Sequence, residues 1–169
     1  MSFLHIKGLS ARLKGSDFPI LRRVSLSVAV GEVHGLVGES GAGKELFARA
    51  IHAALDAGVS LIDTAPAYGF GRSEEVVGRA IRGRRDKVVL ATKCGLWWDD
   101  ATGAVFFQQS GHTVRRSLDP RTIRIEVEAS LRRLHTDRID LMQTHWQATP
   151  EAPTPIADTM ACLMDLRAQ

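Results

Sequence analysis

Asp63, Tyr68, Lys93 and His145 each lie at or just beyond the end of a short apolar run, the runs being 59–62, 88–91 and 139–142. Each run is followed or preceded by a segment of helical periodicity, which predicts parallel strands of repeated βα units. Polar residues at the carboxyl ends of such strands are where α/β proteins do chemistry. An aspartate, a tyrosine, a lysine and a histidine gathered at one rim make a proton-donating device. A free phenol, with a pKa of about 10, is a poor acid at neutral pH, and a buried ammonium beside it favours the phenolate. A carboxylate keeps that ammonium charged, and an imidazole can orient or polarise a carbonyl oxygen. Such a set suits carbonyl reduction with an external hydride donor. Taken singly, each residue also has a plainer role: a turn aspartate, a packing tyrosine, a solvated lysine, a core histidine.

The elements that must position these residues follow from spacing. Asp63 and Lys93 are 30 residues apart, about one βα unit. Four units are predicted: strand 33–37 with helix 44–57, strand 59–62 with helix 72–83, strand 87–92 with helix 120–134, and strand 138–144 with helix 155–168. Ahead of them, 3–9 and 21–28 alternate like two half-exposed antiparallel strands joined by Gly15, Ser16 and Asp17. The helix over 44–57 has Phe47, Ala50, Ile51, Ala54 and Leu55 on one face. The segment from Gly95 to Asp119 is long for a βα connection. With a turn expected at 99–103 and with Trp97, Trp98, Phe106 and Phe107, it is predicted to form a hairpin over the rim, in which Trp97 and Trp146 line the substrate pocket.

The motifs Leu61-Ile62-Asp63-Thr64-Ala65-Pro66-Ala67-Tyr68-Gly69, Gly71-Arg72-Ser73-Glu74-Glu75, Ala91-Thr92-Lys93 and Gln143-Thr144-His145-Trp146 resemble, in order, the signatures of the aldo-keto reductases. The resemblance runs over about residues 50–169. It implies a (β/α)8-type barrel with Tyr68 as proton donor, Lys93 and Asp63 tuning it, Asp63 also at the cofactor, and His145 positioning a small carbonyl substrate. It further implies NADPH as the hydride source.

Residues 1–44 resemble something else, the start of an ABC transporter ATPase subunit. Gly38-Glu39-Ser40-Gly41-Ala42-Gly43-Lys44 fits the phosphate-loop pattern between a strand and a helix, making Gly38, Gly41, Gly43 and Lys44 candidate phosphate contacts. Glu45 stands where that pattern needs Ser or Thr to ligate magnesium, and a carboxylate there repels the anion. ATP hydrolysis is therefore not expected; weak anion binding and a purely structural glycine turn are the readings left. The whole is read as a chimera: an ABC-like segment over 1–44, and one folded aldo-keto-like unit over 45–169.

The fold class expected is α/β, with parallel βα units forming a partial, half TIM-type barrel behind a short antiparallel segment and a P-loop-like strand and helix. A full barrel needs eight units and about 250 residues, against 169 here. Four strands leave an open edge, so a homodimer completing the ring is expected, and a partner would have to supply the later-strand part of the dinucleotide site. Lysine plus arginine number 22 against 19 acidic residues, in scattered pairs, which does not favour nucleic acid. Arg82, Arg84, Arg85 and Lys87 are read as a solvated turn. Cys94 and Cys162 have no metal or redox spacing, no metal site is expected, and no long apolar run suggests a leader or membrane span, so a reduced, cytoplasmic protein is expected.

Overall fold

The computed structural model describes the backbone of Ser2–Arg12, Pro19–Ala29, Lys44–Asp56 and 58–169, and side chains for 48, 49, 51–56 and 58–169. Two compact units are present, Met1–Val59 and Ser60–Gln169, and each is described by itself.

In the first unit, β1 (Ser2–Arg12) and β2 (Pro19–Ala29) pair antiparallel, with Leu4 opposite Val28 and Ile6 opposite Leu26. The alternation of apolar residues thus does mark two strands. The expected joining turn at Gly15–Asp17 and the expected strand at 33–37 lie outside the described residues. Helix α1 (Lys44–Asp56) ends where Gly58, at φ +91°, returns its N–H to the Leu55 carbonyl while Val59 reaches Ala54. A left-handed residue is needed to close that motif, and glycine adopts it without a Cβ penalty.

The second unit is built on three parallel strands in the order β3 (Leu61–Asp63), β4 (Val89–Cys94), β8 (Leu141–Thr144). Helix α2 (Arg72–Ala80) connects the first two, and α3 (Pro120–Leu134) leads into the third, with α4 (Ile156–Arg167) following. Helix α3 starts cleanly because Asp119 accepts the Arg121 N–H at 2.8 Å and Pro120 fills the first turn. Behind the strands, Cys94, Leu118, Ile123, Val127 and Cys162 form one buried cluster. Helices α2 and α3 cross at Gly78, where a Cβ would lie 2.6 Å from the Leu134 carbonyl carbon and oxygen.

Two expectations need correcting. Helix α2 stops at Ala80 instead of 83, because the chain turns through Ile81 and Gly83 at φ +72°. Arg85, read as solvated, is a clasp instead. It pairs with Asp140 at 2.7 Å and donates to the carbonyls of Val88 and Arg138, each at 2.9 Å, tying the amino-terminal ends of β4 and β8. Asp140 also accepts the Leu90 N–H at 2.7 Å; burial alone would push its carboxyl up, and this bond with Arg85 more than offsets it, holding it below the usual range.

The long connection is a three-stranded antiparallel sheet, β5 (Leu96–Trp97), β7 (His112–Arg116), β6 (Ala104–Gln109), in that spatial order. Its hairpin turns at Ser110 and Gly111, both left-handed at φ +52° and +81°. The expected turn at 99–103 exists, but it joins β5 to β6, which lie on opposite sides of β7. No helix among the described residues is long and apolar enough to cross a membrane.

Candidate active site

Strand register explains why the four polar residues converge. Asp63 is level with Ala91, and Lys93 is level with Gln143. Side chains two apart on a strand share a face, so Lys93 and Gln143 stand one step further along the face that carries Asp63, and His145 one step beyond. The Lys93 ammonium donates to Asp63 Oδ2 at 2.6 Å and to the Thr64 carbonyl at 2.9 Å. Gln143 Nε2 donates to the other Asp63 oxygen at 2.9 Å. Gln143 was given no role from sequence, although its i, i+2 spacing to His145 was the available signal.

Tyr68 reaches the same place from a loop. Its N–H bonds the Ala65 carbonyl at 3.1 Å, and its own carbonyl accepts the Ser73 N–H at 3.2 Å. The next three residues, Gly69, Phe70 and Gly71, all have positive φ. Phe70 tolerates this strained backbone while its ring packs on Trp98 and His112, with centroids 5.3 and 4.6 Å away. The Lys93 ammonium sits 5.3 Å from the Tyr68 ring centroid, and the Tyr68 and His145 rings meet edge to face at 5.9 Å. The Tyr68 contacts given among the described residues are made by its ring and its backbone.

The support behind the rim accounts for the motif Gly71 to Glu74. Glu74 is fully buried, accepts the Thr92 hydroxyl at 2.7 Å and pairs with Arg133 at 2.6 Å. Arg133 reaches it by passing over Gly71, where a Cβ would meet Arg133 Cδ at 2.5 Å. Ser73 and Thr64 share a hydrogen bond at 2.8 Å. The loop carrying Tyr68 is therefore fastened to β4 directly behind Lys93.

His145 is anchored by its N–H to the Cys94 carbonyl at 2.8 Å. Its imidazole pKa lies below the ordinary value because burial and then the Lys93 charge disfavour the imidazolium, with Asp63 opposing them. A neutral imidazole at neutral pH can donate one hydrogen bond to a carbonyl oxygen. Cys94 faces the other way, into the core, where burial, Glu126 and Cys162 push its thiol up to about 12, so it is inert.

The two tryptophans expected to line the pocket part company. Trp146, 42% exposed, packs on Phe106 at 5.5 Å and, with His145, Leu118 and Ile156, lines a cavity of about 510 Å³. Trp97 is not brought there: it is 4% exposed, and its indole N–H is donated to Asp100 at 2.6 Å. It is Trp98, just past the end of β5, that meets the Tyr68 loop through Phe70. Of the proposed phosphate contacts, Gly38, Gly41 and Gly43 lie outside the described residues, as does the side chain of Lys44, whose backbone opens α1.

Parallel strands with this rim at their carboxyl ends define an α/β protein with a polar site at one end of its sheet. The model of the Aldo/keto reductase family matches residues 37–169, and the chain belongs to that family. The NADH-specific methylglyoxal reductase of Escherichia coli K12 is 46% identical over 113 residues, 66% of this chain and 34% of that protein. The glycerol dehydrogenase of Gluconobacter oxydans superposes with a TM-score of 0.64 at 39% identity, covering 94% of this chain and 45% of that one. An aldo-keto reductase from Klebsiella pneumoniae solved with NADPH superposes at 0.60 with 34% identity, covering 78% and 38%. The chain spans about a third of the length of the curated relatives it matches. The family match opens at residue 37, ahead of the boundary expected near 50, and so takes in the glycine loop. Nothing in these comparisons supports an ABC-type segment.

Proposed function

We propose that this chain carries the proton-delivering rim of an NADPH-linked carbonyl reductase acting on a small aldehyde or ketone, with a 2-oxoaldehyde such as methylglyoxal as the first candidate. The carrying observation is the hydrogen-bonded set Gln143–Asp63–Lys93 facing Tyr68 and His145 at one strand rim. Reduced nicotinamide, when bound, supplies the hydride to the carbonyl carbon. Tyr68 gives its proton to the carbonyl oxygen, a step suited to a phenol beside an ammonium. Lys93, held by Asp63 and the Thr64 carbonyl, keeps a positive charge against the ring, while neutral His145 hydrogen-bonds the same oxygen and fixes its direction.

The donor set fits the reacting end of such a cofactor: Asp63, Lys93 and Gln143 form a polar floor beside the Tyr68 ring. A cytoplasmic setting, in which both buried thiols stay reduced, accords with this reading. The test is titration of the purified chain with NADPH, followed by cofactor fluorescence. Saturable binding weakened by Asp63→Ala supports the proposal. Absence of binding by a folded sample refutes it.

A further inference from the structure

Arg116 ends β7 and packs against two aromatic rings that also touch each other, one of which, Trp146, lines the cavity. Its guanidinium carbon lies 4.0 Å from the Phe106 centroid and 4.8 Å from that of Trp146, while the two rings are 5.5 Å apart. Its Nε is buried with no hydrogen-bond partner among the described residues. Other part-buried arginines are satisfied: Arg85 has Asp140 at 2.7 Å, and Arg133 has Glu74 at 2.6 Å. Arg116 forms no ion pair within the described residues. The carboxylate that senses it is Glu151, which is exposed and is held low first by its own backbone N–H and Thr149, with Arg116 the smallest contributor.

A guanidinium carries five N–H donors in a planar fork, and a buried donor left without an acceptor is costly. Contact with both rings restrains the guanidinium, and with Nε buried it is the two terminal amino groups that present an edge to a two-oxygen acceptor. Trp146, one of those rings, directly follows His145 and lines the same cavity. We infer that Arg116, packed against Phe106 and Trp146, is a receptor for a substrate carboxylate, so that the rim favours carbonyl compounds bearing an acidic group. This rests on the reductase reading for the carbonyl but not for the anion.

The test compares binding of 4-carboxybenzaldehyde and its neutral methyl ester, methyl 4-formylbenzoate, by calorimetry on the full chain. The wild type is expected to bind the acid about tenfold more tightly, the size of one charge-assisted bidentate contact. Arg116→Met keeps an apolar stem against the rings and should erase the preference without changing affinity for the ester. Arg116→Lys should restore part of it. Equal affinities in the wild type, binding of neither compound, or a preference that survives Arg116→Met would overturn the inference. A loss of NADPH affinity in Arg116→Met with the acid preference unchanged would also overturn it, assigning the arginine to a cofactor phosphate. Because binding is read without turnover, failure of the reductase reading, seen as reduction insensitive to Tyr68→Phe, is distinguishable from failure of the anion site.

Discussion

Asp63 divides its two oxygens between Lys93 and Gln143, so the lysine charge is paired while both groups act on the neighbouring His145. That arrangement makes the imidazole a reporter of the lysine. Burial and Lys93 depress the His145 pKa below 6.5, so the native state binds its proton less readily than the unfolded chain. The stability this residue contributes is present above the ordinary value and is lost as pH falls from there through the folded pKa. Lys93→Met removes a positive neighbour and leaves Asp63, and the His145 titration followed by NMR should move up; no movement would mean that the two are not coupled. The meeting of these four residues at one rim was legible because residue type, order and position after apolar runs coincide. Trp97 was placed at the pocket because composition does not say which of two adjacent tryptophans turns inward to the core. Arg116 was overlooked because its significance lies in lacking an acceptor, a property of space rather than of sequence.

At the level of elements, the site depends on how α2 and α3 are locked behind β4. Glu74 has no exposure, and its partner Arg133 is 23% exposed, so the carboxylate is the group stranded if the pair is broken. Arg133→Met is expected to cost about 3–5 kcal/mol, the range for leaving a buried charge uncompensated, as measured by urea unfolding; a loss under about 1 kcal/mol would show that the pair is not structural. Helix positions were readable from periodicity and caps: α3 and α4 begin within a residue of expectation because Asp119, Pro120 and Pro155 are start signals. Strand starts were read two to three residues early, since the apolar runs extend beyond the paired segments. The order β5-β7-β6 was not readable, because neither its turn glycines nor its aromatics specify which strand takes the middle.

On the scale of the whole molecule, Leu61, Val89 and Leu141 on the three parallel strands are 43–49% exposed, and Ile156, Met160 and Met164 form an exposed stripe at helical spacing on α4. We propose that a second copy covers part of this apolar surface, as a barrel-completing homodimer would. Light scattering should then give about twice the 18.5 kDa chain mass, and a monodisperse single-chain mass would refute the dimer. The family was legible from four ordered motifs, whereas the separate ancestry read into residues 1–44 rested on a glycine pattern with the strands ahead of it, and the family match opens inside that segment at residue 37. A short glycine-and-lysine pattern also matches by chance, so it is weak without its downstream partners. The central claim, that the rim delivers a proton to a carbonyl oxygen, is tested most directly by NADPH-dependent reduction of methylglyoxal by the wild type and by Tyr68→Phe. A measurable wild-type rate that falls about 10²–10⁴-fold in the variant is the predicted result. A folded wild type with no turnover, or a variant that reduces as fast as the wild type, would contradict it.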